Sequence, residues 1–326
     1  MGRGLRGRRT ATTAALLAAT MTVALTAGCT GGGGTGDDGR GTAGESTPEA
    51  SPPATGPGVL AVKIDNVRTA RPHTGLDAAD VVYVEQVEGG LSRLMAVYAT
   101  RLPESVGPVR SARESDLELL RQFDRPTLAF SGAQRKLLPL IDRAPLRAKT
   151  PGNTSEAYFR GSGRPAPYNL FLRPERILPG PPGATALTTG FRYGAAPAGG
   201  TAAAEQTVRY PAARFTFTWS EARGRWLVGM DGAPATTSDG KRMAAATVVV
   251  QYVQVRESAF RDFLGNNTPY TETVGSGKAK VLRDGRAYDA DWERESPADG
   301  TAFTTGDGAP VNFAKGQVWV VYAEAP

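Results

Sequence analysis

The chain has 326 residues, a formal charge of +6, one cysteine and one histidine. A single thiol excludes an intrachain disulfide and a Cys-based metal site. The excess charge belongs to the first 28 residues: without Arg3, Arg6, Arg8 and Arg9 it falls to +2, and the electrostatic case for nucleic-acid binding falls with it.

Residues 1–9 are basic, and Thr10 to Leu25 is an uncharged run rich in Ala, Leu and Val. That run is too short and too Ala/Thr-rich to stay in a bilayer as a spanning helix, but it suits the apolar region of a secretory signal. Leu25-Thr26-Ala27-Gly28-Cys29 ends it in the manner of a bacterial lipobox. Cleavage before Cys29 and diacylation of its thiol would place the chain on the outer face of the cell membrane. Two or three acyl chains there hold firmly where one would not.

Residues 29–58 consist of Gly, Thr, Ser, Pro, Ala and a few acids, a composition that does not repay its ordering entropy. They read as a disordered tether with a reach of about 30 Å. Order is expected from Val59. Leu60, Val62 and Ile64 alternate with Ala61, Lys63 and Asp65, which predicts a strand with one buried face. Residues 80–88 and 93–100 predict two more strands, joined by a turn at Gly89-Gly90-Leu91-Ser92. Helices are expected over 112–123 and 133–142, with a short strand at 127–131 between them. A Pro/Gly/Ala-rich linker follows at 181–206. Beyond it, short β-type runs at 215–219, 226–230, 247–255, 279–282, 288–292 and 318–322 are punctuated by Asp231-Gly232, Asp239-Gly240 and Asp284-Gly285. The predicted class is α+β: a mixed α/β N-terminal domain at 59–180 and a mostly antiparallel β domain at 207–326.

Several blocks carry a family resemblance. Val62-Lys63-Ile64-Asp65-Asn66, Ala70-Arg71-Pro72-His73-Thr74-Gly75-Leu76 and Ala79-Asp80-Val81-Val82-Tyr83-Val84-Glu85 come first. Glu88-Gly89-Gly90-Leu91-Ser92-Arg93 and Gly107-Pro108-Val109-Arg110-Ser111-Ala112-Arg113 follow in order. Together they resemble the N-terminal domain of the DUF3048 family of bacterial lipoproteins. Gly275-Ser276-Gly277 and Lys315-Gly316-Gln317-Val318-Trp319 resemble the family's C-terminal domain. The family pattern commonly has Gln at the position of His73 and Thr at that of Ser92, which speaks against catalysis by His73. The resemblance implies no activity.

The candidate site residues gather in the same blocks: Lys63, Asp65, Asn66, Arg71, Glu85, Glu88, Arg93, Arg110, Ser111 and Arg113. Ser111 with Glu114 has the spacing of a capping box. Arg110 and Arg113 would then crowd the positive end of the helix dipole, costing about 0.3–1 kcal/mol each. A carboxylate or a bound anion should offset that. Glu85 shares a strand face with Val81 and Tyr83 and needs a cation. The expectation is that Arg93 supplies it and that Arg110 and Arg113 hold a ligand anion, with a purely structural ion-pair network as the competing reading. Asp65 and Asn66 fit either a binding position at a strand end or a side-chain-stabilised turn.

Common enzyme templates fit poorly. A Ser-His-Asp hydrolase has only His73 to use and no Gly-x-Ser-x-Gly elbow. Gly277-Lys278 lacks the rest of a phosphate loop, and Ser238-x-x-Lys241 sits in a turn rather than at a helix start. No cofactor or metal is called for. The alternative to a non-catalytic module of the cell envelope is a glycan hydrolase using two of Asp65, Asp80, Glu85 and Glu88. The partners expected are the membrane, through the lipid, and an anionic envelope polymer or an envelope protein. Cys29→Ala tests the anchor: the variant should lose lipid label and membrane sedimentation, and a variant that keeps both refutes lipidation at Cys29.

Overall fold

The computed structural model describes residues 58–262 and 265–325; the expected leader, Cys29 and the expected tether up to residue 57 lie outside them. Strand β1 (Leu60–Asp65) is buried along its whole length, Lys63 and Asp65 included. The alternation therefore separates two apolar layers rather than core from solvent. Leu60, Val62 and Ile64 belong to one layer, and Val59 and Ala61 to the other. The same parity runs through β2 (Val81–Gln86) and β3 (Ser92–Tyr98): Val82, Val84, Leu94 and Ala96 face the first layer, Val81, Tyr83, Met95 and Val97 the second. Burying a side chain of this kind stabilises by about 1.5–3 kcal/mol.

Two short helices follow, α1 (Glu114–Leu120) and α2 (Leu138–Arg143), with β4 (Thr127–Ala129) between them and β5 (Arg147–Lys149) after. Both are shorter than the sequence predicts. Helix α1 closes in a tight turn, Arg121 N–H to Glu118 O and Phe123 N–H to Leu120 O, while α2 opens next to Pro139. Next come a hairpin, β6 (Tyr158–Arg160) with β7 (Leu170–Leu172), and the two-residue β8 (Thr201–Ala202). Strands β9 (Glu205–Tyr210), β10 (Ala213–Ser220), β11 (Arg225–Met230) and β12 (Ala233–Pro234) form a small antiparallel sheet, with β13 (Ala244–Ala245) also on β11. The chain continues through β14 (Thr247–Val253) and a protruding hairpin, β15 (Val255–Arg261) with β16 (Asn267–Thr271). It ends with β17 (Gly275–Arg283), β18 (Arg286–Arg294), β19 (Ala302–Thr304) and β20 (Val318–Glu324). The β17–β18 turn is the Asp284-Gly285 pair, both residues at positive φ, as the dipeptide predicts.

The central mixed sheet has the order β19-β18-β17-β14-β20-β2-β3-β1-β4-β5, with β8 on β18. Terminal strand β20 lies parallel to both β2 (Val81↔Val318) and β14 (Thr247↔Val318). The first layer is closed by the small sheet through Phe215, Phe217, Trp226 and Val228. The second is closed by Leu119 and Leu120 of α1, Phe123 just after it, Ile141 of α2, and Phe303 and Phe313. The α+β expectation is thereby corrected to a mostly β molecule: the helices are too short to cover a sheet face, and strands and loops supply the rest.

The segments expected as separate domains at 59–180 and 207–326 contribute to this one sheet. Residues 181–206 pack along it: Gly183 N–H bonds Ala99 O, Thr301 N–H bonds Thr189 O, and the Phe191 ring lies 4.8 Å from that of Phe313. If the chain is nicked within 195–200, the fragments should therefore co-elute on size exclusion and part only in denaturant. Fragments that separate in native buffer would show two independent domains.

Candidate functional site

Strand parity and register place four charged residues together. Lys63 and Asp65 on β1, Glu85 on β2 and Arg93 on β3 project, at one end of the sheet, from the face that α1 and α2 pack against. Asp65 and Glu85 are both register partners of Arg93. The start of α1 lies over them. Lys63, fully buried, pairs with Glu85 and lies 2.6 Å from Asp116, while the Ser115 hydroxyl donates to Glu85 at 2.8 Å. Burial pushes the Lys63 ammonium down to about 8, against the attraction and hydrogen bond of Asp116. The cation of Glu85 is thus Lys63, not Arg93 as expected. Lys63 lies on the same face two residues inward, and its long stem reaches a carboxylate on each side.

Segment 109–112 is extended beside β1, with Arg110 N–H on Lys63 O at 2.8 Å and Ala112 N–H on Gly132 O at 3.0 Å. The helix begins later than the capping-box spacing implies. Arg113 is the N-cap residue, and Asp116 takes its N–H at 2.7 Å. Ser111 therefore lies outside the cap, with its Oγ 3.5 Å from that of Ser131. Arg110 and Arg113 are not in the first helical turn, so the dipole argument does not apply to them. Both meet carboxylates: Arg110 lies 3.0 Å from Asp65, and Arg113 lies 2.6 Å from Glu88. Burial alone would raise the Glu88 carboxyl, but Arg113 and the Thr268 hydroxyl, at 2.6 Å, hold it below its usual range.

Arg93 is different. Its guanidinium donates to Ser111 O at 3.0 Å and takes part in none of the ion pairs among the described residues. Burial brings it down to about 9, Arg113 and Arg110 push the same way, and Glu88 and Asp65 oppose them. On the neighbouring rim, Asn66 donates to Ser92 Oγ at 2.9 Å and is itself clamped by Arg71, through Oδ1 at 3.1 Å and its carbonyl at 2.6 Å. Arg71 also pairs with Asp231 at 2.8 Å. The ten candidate residues thus converge on one end of the sheet, most of them already engaged with one another.

Sequence reasoning missed Ser115, Asp116, Thr268 and Asp231. Asp116 carried a readable signal, since an acid three residues after the N-cap commonly takes its N–H. Thr268 and Asp231 arrive from distant strands and carry none. His73 is buried, and its Nε2 meets Asp65 O at 2.9 Å. Each of the four carboxylates weighed for a glycan hydrolase already has a partner. Asp80 caps Ala99 and Thr100, Glu85 sits within the buried cluster, Asp65 and Glu88 face arginines, and Glu88 is shifted away from the raised value a general acid needs. Among the described residues no group of three His, Cys, Asp or Glu could hold a metal.

This architecture has known counterparts. Residues 43–186 match "Protein of unknown function (DUF3048) N-terminal domain" and residues 206–320 match the corresponding C-terminal domain. The chain belongs to the DUF3048 family. Over 65 residues it is 45% identical to a Bacillus subtilis protein named "Putative lipoprotein YerB", a stretch covering 20% of this chain and 20% of that one. The crystal structure of YerB from Bacillus subtilis superposes with a TM-score of 0.67 at 19% identity, covering 84% of this chain and 93% of that chain. That likeness extends the shared fold across both matched segments.

Two measurements probe these contacts. Lys63→Met leaves Glu85 and Asp116 buried without their cation and should cost about 3–5 kcal/mol in denaturant unfolding; a cost below about 1 kcal/mol would show that Lys63 does not neutralise them. His73 has a reference value of 6.5, and burial takes it down to about 4, with the Asp65 carbonyl opposing and Arg71 and Arg164 adding to the drop. Between those values the unfolded chain binds more protons, so stability should fall as pH drops from 6.5 to 4, by about 3 kcal/mol in all. His73→Gln should flatten that part of the stability–pH curve, and an unchanged slope would mean that His73 is not buried neutral.

Proposed function

We propose that the chain is an exported lipoprotein, held on the outer face of the cell membrane through Cys29, that binds an anionic group of an envelope component without turning it over. Arg93 carries this reading. It is a largely desolvated guanidinium with one carbonyl partner and no carboxylate in contact, between two arginines that are already neutralised. A cation in such surroundings is favoured by an incoming anion, and the planar fork of arginine suits carboxylate and phosphate oxygens. Arg110 and Arg113 frame that position while their carboxylates keep the free site from being strongly self-repulsive. The lipobox and the lipoprotein name of the relative support the anchor.

Ligand binding at Arg93 separates from folding. Arg93→Gln should keep the native melting temperature or raise it slightly, because it removes a like charge beside Arg113. It should also lose the component that the native chain captures from detergent-solubilised envelopes. Arg110→Gln should instead lower the melting temperature, since it leaves Asp65 buried without its cation. Equal capture by native and Arg93→Gln chains would refute the assignment, as would release of soluble fragments from cell-wall glycan by the native chain.

A further inference from the structure

A second basic site lies on the other side of Asn66 and Ser92. There a groove of about 540 Å³ opens between the loop after β1 and the β9–β10 turn, and Arg68, Arg209 and Arg214 line it. None of the three side chains makes an ion pair, and none donates a hydrogen bond within the described protein. The only carboxylate in the lining is Asp231, and both its oxygens are taken, one by Arg71 at 2.8 Å and the other by the backbone N–H of Arg214 at 2.8 Å. The groove therefore carries three uncompensated guanidinium groups. At its floor the buried Ser92 hydroxyl accepts from Asn66 and keeps its own proton to donate.

Three free cations in one recess cost electrostatic self-energy, and nothing in the local packing requires them. Each could be replaced by a neutral residue without stranding a partner. Such an arrangement fits a ligand with several negative charges in sequence better than a single carboxylate. Guanidinium forks match the paired oxygens of a phosphate, and a recess rather than a flat face suits a strand of polymer more than a bilayer surface. We propose that this groove binds a phosphodiester-linked polyanion, with successive phosphates on Arg209, Arg214 and Arg68. The groove shares none of its arginines with the Arg93 cluster, so either site stands or falls without the other.

The test uses the full chain in detergent micelles and a fluorescent poly(glycerol phosphate) oligomer, read by anisotropy across a salt series. Arg68→Gln/Arg209→Gln should weaken binding about tenfold or more per arginine and reduce the slope of log affinity against log salt by about one per cation lost. Arg143→Gln, at the exposed end of α2, should leave this binding unchanged. Circular dichroism should show the double variant folded, because Arg68 and Arg209 are exposed and hold no partner among the described residues. The proposal is overturned if the double variant binds as the native chain does, or if a polygalacturonate of similar length binds equally well. It is also overturned if inorganic phosphate at the same phosphate concentration displaces the oligomer completely, or if affinity appears only for phosphatidylglycerol vesicles.

Discussion

Strand β20 holds this molecule together. Without it, β2 and β14 would each present an unpaired row of N–H and C=O groups inside a sheet covered on both faces, where water does not reach to satisfy them. The last strand of the chain fills that gap with parallel ladders on both sides, Val81 to Val84 against Val318 to Val321 and Thr247 to Val253 against Val318 to Glu324. Tyr210 reinforces the junction from the small sheet, its hydroxyl on Tyr322 O at 2.6 Å and reaching Val84 O at 3.4 Å. The two family-matched segments therefore share a core, and the site at the sheet end is fixed by strands from the first segment under a frame completed by the second.

That frame explains why charge can be buried at the end of the sheet. Lys63, Glu85 and Asp116 lie in an apolar layer where any one alone would be expensive, and their mutual contacts with Ser115 make the set tolerable. The next shell outward, Asp65 with Arg110 and Glu88 with Arg113, is ordered by the inner one, because Arg110 N–H is held by Lys63 O and Asp116 fixes the Arg113 N–H. Arg93 lies beside these pairs with a single carbonyl to satisfy it. Polar networks of this kind are costly when half-satisfied, and Arg93 is the arginine of this cluster with no carboxylate in contact among the described residues. The groove around Arg68, Arg209 and Arg214 lies nearer solvent, and its three guanidinium groups enter no ion pair among the described residues.

Much of this was legible in the residues. Alternation located β1, β2 and β3 and put Lys63, Asp65, Glu85 and Arg93 on chosen faces, since side chains repeat every two residues along a strand. The Asp-Gly turns marked hairpins of the β-rich part, and the family blocks held all ten candidate residues. The helices were overestimated because an apolar stripe such as Leu117, Leu119, Leu120 and Phe123 specifies which face is buried, not how many turns persist. The capping signature misled for a related reason: Ser111 and Glu114 have the right spacing, but the backbone from 109 to 112 is held extended against Lys63 and Gly132, which delays the helix to Glu114.

The sequence by itself determined the local periods, the turns and the concentration of charge in a few blocks, because each depends on residues close along the chain. Only the tertiary structure decided who pairs with whom. Lys63 took Glu85 from Arg93, Thr268 reached Glu88 across 180 residues, and Arg209 and Arg214 came to face Arg68. Those choices depend on strand order and on β20 entering between β2 and β14. Nothing in local sequence encodes them, since the backbone groups that form the ladders are the same for every residue.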